Sequence, residues 1–353
     1  MTRYSRLGAS SRVRTYQYFE YLRARGCEVV EAPLFDDAYL EALYHGRRRS
    51  ISAVLAGYAW RVARLAGRSG YDVVWAEIEL LPWLPFGIES LILKSTQRCV
   101  MDFDDAVFHR YDRHRRSVVR RLLGTKIARV MRRADTVVAG SHYIADYARD
   151  AGAKRIELLP TVVDLERYPL RDSRPARGRI GWIGTPLTAR RYLPVILPAL
   201  QALAANREFT FVSIGAGDVE LPGVRTESHE WLAATEGDLL ETLDIGVMPL
   251  EDGPWEQGKC GYKLIQYMAC GLPVVASKVG ENPYIVHHGE HGFLVDNQDD
   301  WVEALGHLLD DQGRARVMGL AGRARVEAQF STRVSAPRLY DILRDAAGAT
   351  CAG

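Results

Sequence analysis

The chain has 353 residues, 47% hydrophobic and 25% charged, a globular composition that excludes a disordered or fibrous chain and, at roughly 100–200 residues per domain, favours two domains. It has no run of about 18 apolar residues to span a bilayer and no apolar signal core in MTRYSRLGASSRVR; its five scattered cysteines (Cys27, Cys99, Cys260, Cys270 and Cys351) suit a reducing cytosol and give no metal framework. The net charge of +2 conceals an asymmetry: residues 1–170 carry 28 Lys/Arg against 20 Asp/Glu, net +8, and residues 171–353 carry 18 against 24, net −6, so the two halves face different partners.

Short β-rich runs alternate with helical ones, the pattern of an α/β protein with parallel sheets and crossover helices. CEVVEAPL, YDVVWAE, RCVMDFD and DTVVAG read as strands of the first half. Helices are expected over residues 12–25 and 50–66, and after Ser141, which can cap HYIADYARDAG. The start departs from the pattern. An apolar strand, central in a doubly wound sheet, should precede the glycine-bearing loop at Gly8, yet only the polar MTRYSRL does. Either the first strand is weak or the true start lies upstream. Within this loop Gly8, Ser10 and Arg14 are candidate site residues.

TVVDLERYPLRDSRPARG, poor in apolar residues from 171 on, reads as a linker. The expected organisation is an N-terminal Rossmann-like domain over 1–168, a linker over 169–178 and a C-terminal domain over 179–335. A last helix over 336–353 can pack back on the first domain. The second half alternates again. RIGWIGT, EFTFVSIGAG, VRTES, DIGVMPL, LPVVAS and GFLV read as strands, with helices over 190–204, 231–241, 259–270 and through 299–345. Two such halves imply a cleft at the strand ends, where a pair of substrates would meet.

The most informative window is residues 244–286, DIGVMPLEDGPWEQGKCGYKLIQYMACGLPVVASKVGENPYIV. GPWEQG reads as a loop, and a helix starting near Lys259 offers free first-turn amides to an anion. Lys259 and Lys263, four apart on one helical face, can together hold a diphosphate. Gly258 and Gly261 lower the steric cover, and Gln266 can hydrogen-bond a sugar or ribose hydroxyl. The plainer alternative is two solvated lysines and an ordinary helix glutamine. In GWIGT (181–185), Gly184 would let the backbone approach a ligand. The third glycine of a dinucleotide fingerprint is missing, and a tight turn explains the segment equally well. GAGD (215–218) is similar and weaker.

DFDDA (102–106) puts three carboxylates at a strand end, Asp102 and Asp104 on one face and Asp105 on the other. Such a pair can position a hydroxyl or act as a base; the alternative is that Asp104 or Asp105 caps the next helix. No further ligand cluster accompanies them, so metal is not expected. Residues 110–133 hold ten Lys/Arg against one acid, Asp112, with Val118, Val119, Leu122, Leu123, Ile127, Val130 and Met131 at helical spacing. An amphipathic helix lying on an anionic membrane surface fits this. So does an apolar stripe packed on the sheet with solvated arginines. No aromatic platform supports nucleic-acid binding.

The 244–295 window, with GWIGT, DTVVAGSHYIADYA and LLPTVVD, resembles the retaining glycosyltransferases of family 4, most specifically in YMACGLPVVASKVGENPYIVHHGEHGFLV. The resemblance implies the GT-B fold, two Rossmann-like domains facing across a cleft. It implies that the C-terminal half takes a nucleotide-diphosphate sugar as donor and the N-terminal half a glycan or glycolipid acceptor, with Gly8, Ser10 and Arg14 on the acceptor side. The transfer would retain anomeric configuration, need no metal and use no permanently bound cofactor. Cell-surface polysaccharide, lipopolysaccharide or glycolipid synthesis on the cytoplasmic face of the membrane is the implied setting. In the family, basic side chains at a helix start neutralise the departing diphosphate, a role that falls on Lys259 and Lys263.

The chain departs from the family pattern at three places. Gly258 and Gln266 stand where two glutamates eight apart are common. Arg190 and Arg191 lie near the place of an Arg–Lys pair after the glycine turn, where Gly184 and Thr185 join Gly261 as donor-side candidates. DFDDA occupies the loop of a usual histidine, so that Asp104 or Asp105 takes its role. These features resemble a lysine-bearing subset with DxDD. Two rival readings are a catalytically silent nucleotide-sugar-binding protein and a nucleotide-sugar epimerase.

Overall fold

In a computed structural model the chain is described except for residues 45–46, 48–49, 68–69, 94–97, 171–176 and 349–353. It divides into two compact units, Met1–Thr161 with Ser335–Gly353, and Val162–Val334. The division falls earlier than residue 168 because the segment after Thr161 is tied into the second unit. Val163 bridges to Ser331 there, and the buried Tyr168 donates to Glu236 at 2.5 Å. Of the expected linker 169–178, residues 171–176 lie outside the described residues. The last helix, Thr332–Ala347, is held in the first unit by contacts such as Tyr18–Ser335 at 3.1 Å and Arg155–Asp345 at 3.2 Å.

The first unit contains β1 (Thr2–Tyr4), β2 (Pro33–Phe35), β3 (Val74–Glu77), β4 (Cys99–Phe103), β5 (Thr136–Ala139) and β6 (Ile156–Leu158). β3 to β6 pair in chain order, β1 pairs with β2, and every pairing is parallel. A first strand therefore exists, three residues long. It lies along β3, where Glu77 N–H donates to Met1 O at 3.0 Å and the Glu77 carboxylate accepts Arg3 N–H at 3.1 Å. CEVVEAPL is not a strand over its length; pairing is confined to Pro33–Phe35.

The expected helix over 12–25 is broken at Thr15, whose non-helical backbone separates Ala9–Arg14 from the turn Tyr16–Tyr18 and the helix Phe19–Ala24. The break lets Tyr16, Tyr18 and Phe19 all reach the core. Helix Ile51–Ala66 is capped by Ser50, and helix His142–Asp150 by Ser141, whose hydroxyl accepts Ile144 N–H. The basic stretch is three helices rather than one: His109–Asp112, Ser117–Leu123 and Lys126–Arg133. Leu123, Ile127, Val130 and Met131 are core, so this part of the apolar stripe packs inward. Val118 and Leu122 do not; each is 64% exposed.

The second unit holds β7 (Arg179–Ile183), β8 (Thr210–Ile214), β9 (Thr226–His229), β10 (Ile245–Met248), β11 (Val274–Ser277) and β12 (Gly292–Val295). Their parallel order is β12-β11-β10-β7-β8-β9. The first strand is central, its core face carrying Ile180 and Trp182 between helix Pro186–Ala204 and the rest of the sheet. Chain direction across the sheet reverses between β7 and β10. In a doubly wound sheet ligands bind at the carboxyl ends of the strands beside that switch point. GPWEQG, expected as loop, contains a short helix, Pro254–Gln257, and the helix expected from Lys259 begins at Tyr262. No helix among the described residues is long and apolar enough to cross a membrane.

Candidate functional site

At the carboxyl end of β7, Gly184 N–H donates to Ile214 O at 2.9 Å and leads into Thr185. Thr185 and Thr188 form a reciprocal capping box at the start of helix Pro186–Ala204. A Cβ on Gly184 would fall 2.4 Å from the Trp182 ring, so glycine is what lets the turn close over that ring. Arg190 and Arg191, next on this helix, are both exposed but have different surroundings. Arg191 pairs with the buried Glu256 at 2.8 Å, and Glu256 also accepts from Tyr192 OH at 2.6 Å. Arg191 is thus engaged by an acidic partner within this unit.

The end of β10 supplies the lysines. Lys259 precedes the helix, in the turn after Pro254–Gln257, with its ammonium 5.7 Å from the Trp255 ring centre. The two lysines therefore do not share a helical face. Gly261 initiates helix Tyr262–Ala269 with φ +62°, a left-handed conformation that L side chains rarely adopt. A Cβ there would also come within 2.2 Å of Ile285. This turn aims Lys263 back at β7, its ammonium 4.1 Å from the Trp182 ring centre. Burial, and then the positive charge of Lys259, push the Lys263 pKa down to about 7. Two cations held together against an aromatic wall form a place that an anion would stabilise.

Gln266 does not join them. It is 3% exposed, and its amide donates to Tyr168 OH at 3.1 Å within a buried network of Tyr168, Tyr262, Glu236 and Trp231. The expected contact with a ligand hydroxyl is replaced by this internal bond, because Tyr168, remote in sequence, fills the space beside it.

In the first unit the acidic cluster is sorted by its partners. Arg14, expected on the acceptor side, is 2% exposed and grips Asp102 through two bonds, at 2.8 and 3.1 Å, while donating to Leu159 O at 2.9 Å. It is a core ion pair. Asp102 is therefore spent, and Asp102 and Asp104 are not a working pair. Ser10 instead donates to Asp104, and Gly8, at the cap position of Ala9–Arg14, sets that loop with its carbonyl accepting Arg12 N–H at 2.8 Å. Burial, then Asp105, then Glu77 raise the Asp104 carboxyl well above its ordinary value. Neither Asp104 nor Asp105 caps the next helix, which begins at His109.

Two site neighbours escaped the sequence reading. Glu77, buried and bonded by Ser11 at 2.6 Å, lies in register with Asp102 at the end of β3. Its signal was present, since YDVVWAE and RCVMDFD both place an acid near the strand end. Trp182, the floor under Lys263, stands within GWIGT, where only the glycines were singled out. Among the described residues one group has metal-ligand chemistry: His287, Glu290 and His291 bring ligand atoms within 4.8 Å of one another. His291 Nδ1 already accepts His287 N–H at 3.1 Å, which in the neutral ring puts the proton on Nε2 and removes that lone pair.

Two family models match, "Glycosyltransferase Family 4" over residues 12–167 and "Glycosyl transferases group 1" over residues 177–311. A Corynebacterium glutamicum GDP-mannose-dependent monoacylated alpha-(1-6)-phosphatidylinositol monomannoside mannosyltransferase is 30% identical over 213 residues, 53% of this chain and 56% of the relative. The chain thus spans little more than half the length of that relative. A Mycobacterium tuberculosis GDP-mannose-dependent alpha-(1-6)-phosphatidylinositol monomannoside mannosyltransferase is 28% identical over 348 residues, 89% of this chain and 86% of the relative. The solved structure of Anabaena HepE in complex with UDP and glucose superimposes with a TM-score of 0.62 at 16% identity, covering 92% of this chain and 88% of that one.

Proposed function

The chain belongs to glycosyltransferase family 4 and has the GT-B fold of two Rossmann-like domains, and from that premise we propose that it moves a sugar from a nucleotide-diphosphate donor to a glycan or lipid-linked acceptor with retention of configuration. The observation that carries this reading is the cationic turn at the switch point of the second unit. Lys263 and Lys259 stand over Trp182 and Trp255 beside the Gly184–Thr185 turn. A diphosphate there meets two ammonium groups. It gains negative charge as the bond from the anomeric carbon to its oxygen breaks, which is where preorganised cations stabilise a transition state. Arg190, one turn into helix Pro186–Ala204, is the residue we assign as a third donor-side cation.

Asp104, held by Ser10 and crowded by Asp105, is the group we assign to the acceptor. It accepts the hydroxyl proton as the new bond from oxygen to the anomeric carbon forms. A carboxyl raised by burial and a like charge is well matched to that transfer near neutral pH. Asp104→Asn is expected to lower kcat by about a hundredfold or more, while thermal stabilisation by nucleotide is retained. Equal loss of both would show that Asp104 acts through the fold.

The donor itself is tested by a thermal-shift panel of UDP, GDP, ADP and CMP and their sugars. The two mannosyltransferase relatives are GDP-mannose-dependent by name, so GDP-mannose with a lipid-linked acceptor is the leading expectation. A ligand at a hundred times its Kd adds about 2.7 kcal/mol to stability, an easily read shift. Absence of a shift with every nucleotide at millimolar concentration ends this reading. A shift without turnover of any donor would favour the catalytically silent alternative.

A further inference from the structure

Glu77, at the end of β3, is a buried carboxylate, 3% exposed, with which no cation is paired among the described residues. It is too enclosed to touch a substrate. Asp104 is only half-buried and can. Helix Ala9–Arg14 ties three acids of the strand ends together, each by a different side chain. Ser10 donates to Asp104, Ser11 donates to Glu77 at 2.6 Å, and Arg14 grips Asp102 at 2.8 Å. Only the last of these rungs carries a positive charge.

The bonds to Ser11 and to Arg3 N–H, at 3.1 Å, both fall on Glu77 Oε2, leaving Oε1 for a further donor. Tyr4 N–H donates to Ser11 Oγ at 3.3 Å, which directs the Ser11 proton at Glu77. The Ser10 hydroxyl bonds Glu77 as well as Asp104. A hydroxyl has one proton, so it serves one of two carboxylates at a time. The ionisation of Glu77 therefore decides what Ser10 offers Asp104. The other charges around Asp104 are Asp105 and Arg14. Around Glu77 stand Asp102 on β4, Tyr16, the Arg3 side chain, Arg61 and the Met1 ammonium. Arg61 and the ammonium are bonded to backbone carbonyls, Arg61 to Thr2 O at 2.6 Å and Met1 to Trp75 O at 2.5 Å.

We infer that Glu77 is a positioning residue for Asp104, acting through the Ser10 hydroxyl that both carboxylates bond and making Asp104 the stronger base of the two. This role rests on the assignment of Asp104 to the acceptor. Asp102 cannot stand in for Glu77, because Arg14 neutralises it. The Glu77 charge has no such partner, and a like charge close by makes a carboxylate hold its proton more firmly. Ser10 works in the opposite sense, since a hydrogen bond donated to a carboxylate favours the ionised form. Glu77 thus supplies basicity from the interior, and Asp104 supplies the accessible oxygen that uses it. As the acceptor oxygen bonds to the anomeric carbon, its proton passes to an Asp104 oxygen while Glu77 keeps its charge.

The test titrates the Asp104 carboxyl itself, in the full chain without donor or acceptor, by 13C NMR of carboxyl-labelled aspartate between pH 4 and pH 9. Asp104→Asn assigns the resonance by its loss. Glu77→Gln keeps the shape and an oxygen for Ser11 and Arg3 but removes the charge. It is expected to lower the Asp104 midpoint by about one unit or more, the effect of losing a like charge at close range. Glu77→Asp keeps the charge and should leave the midpoint within about half a unit of wild type. Ser10→Ala removes a donated hydrogen bond and should move the midpoint up. A merely loosened site would admit water and lower the midpoint in all three. The role of Glu77 is overturned if Glu77→Gln leaves the midpoint unchanged, or if Glu77→Asp lowers it as far as Glu77→Gln does. Should Glu77→Gln not fold, carboxyl-labelled glutamate in the wild-type chain decides, with Glu77→Asp assigning the resonance. Glu77 must then show a second step at the Asp104 midpoint, and a single step overturns the coupling. An unmoved midpoint with Asp104→Asn inactive in transfer sinks the role of Glu77 alone. A shifted midpoint with Asp104→Asn fully active supports the coupling and ends the assignment of Asp104 as the base.

Discussion

Lys263→Met is expected to stabilise the nucleotide-free protein while removing most of its stabilisation by nucleoside diphosphate. The two effects have opposite signs because they have one cause. Folding holds the Lys263 ammonium against Trp182 and near Lys259, so the pKa falls from 10.5 to about 7. The charged form is disfavoured in the fold. At pH 7 and below that cost is fully present. Between about 7 and 10.5 the unfolded chain binds the extra proton, so wild-type stability rises with pH across this window. Methionine keeps the stem and removes the charge, and the slope should flatten.

With a diphosphate bound, the ammonium is the favoured form. Binding at a pH above 7 therefore takes up a proton, and affinity should weaken by up to about tenfold per pH unit as pH rises. In the variant this dependence disappears along with one to two charge-assisted contacts, each about 1.5–3 kcal/mol. Titration calorimetry in two buffers of different ionisation enthalpy measures the proton uptake, and denaturant melts at pH 6 and pH 9 measure the slope. A variant that is destabilised without nucleotide, yet binds it normally, would make Lys263 a packing residue.

Arg14→Ala is expected to cost the first unit about 3–5 kcal/mol, the range for leaving one charge of a buried ion pair without its partner. Arg14 and Asp102 have side chains only 1% exposed, and the guanidinium also closes on Leu159 O, joining the first helix to β4 and to the segment after β6. Burial raises the Asp102 carboxyl, with Arg14 as the main opposing influence. Removing Arg14 leaves that carboxylate to protonate or to hydrate. The double variant Arg14→Met with Asp102→Asn should recover part of the loss, because no unpaired charge remains. Urea unfolding followed by a first-unit tryptophan such as Trp75 reports the unit concerned. If Arg14→Ala lost activity with stability unchanged, Arg14 would be an acceptor-binding residue after all.

Features governed by neighbours close in sequence were legible before any coordinates. The alternation of strands and helices in the second unit, the Ser141 cap and the position of Lys263 all rest on periodicities and turn chemistry a few residues long. The lysines read as neighbours on one face of a helix starting near Lys259, whereas the left-handed Gly261 starts the helix after Lys259 and so removes their shared face. The acidic segment at the end of β4 was likewise visible. Which of its members does what was not, since Ser10 selects Asp104 from 94 residues away and Arg14 claims Asp102 from 88.

The same division holds for the basic stretch. Its composition announced an amphipathic surface. Gly124 and Thr125 then interrupt the helix, and the interior of the unit takes the apolar side of its second half. Gln266 looked free because nothing within a helical turn occupies it, and Tyr168, 98 residues earlier, bonds it. By itself, then, the sequence determined two parallel α/β halves, a cationic turn, an acidic strand end and an arginine-rich surface, because each is written in contiguous residues. Only the tertiary structure decided which of these charges are paired with one another, as Arg14 is with Asp102 and Arg191 with Glu256. Pairing depends on side chains brought together from distant parts of the chain, and a buried charge must find such a partner.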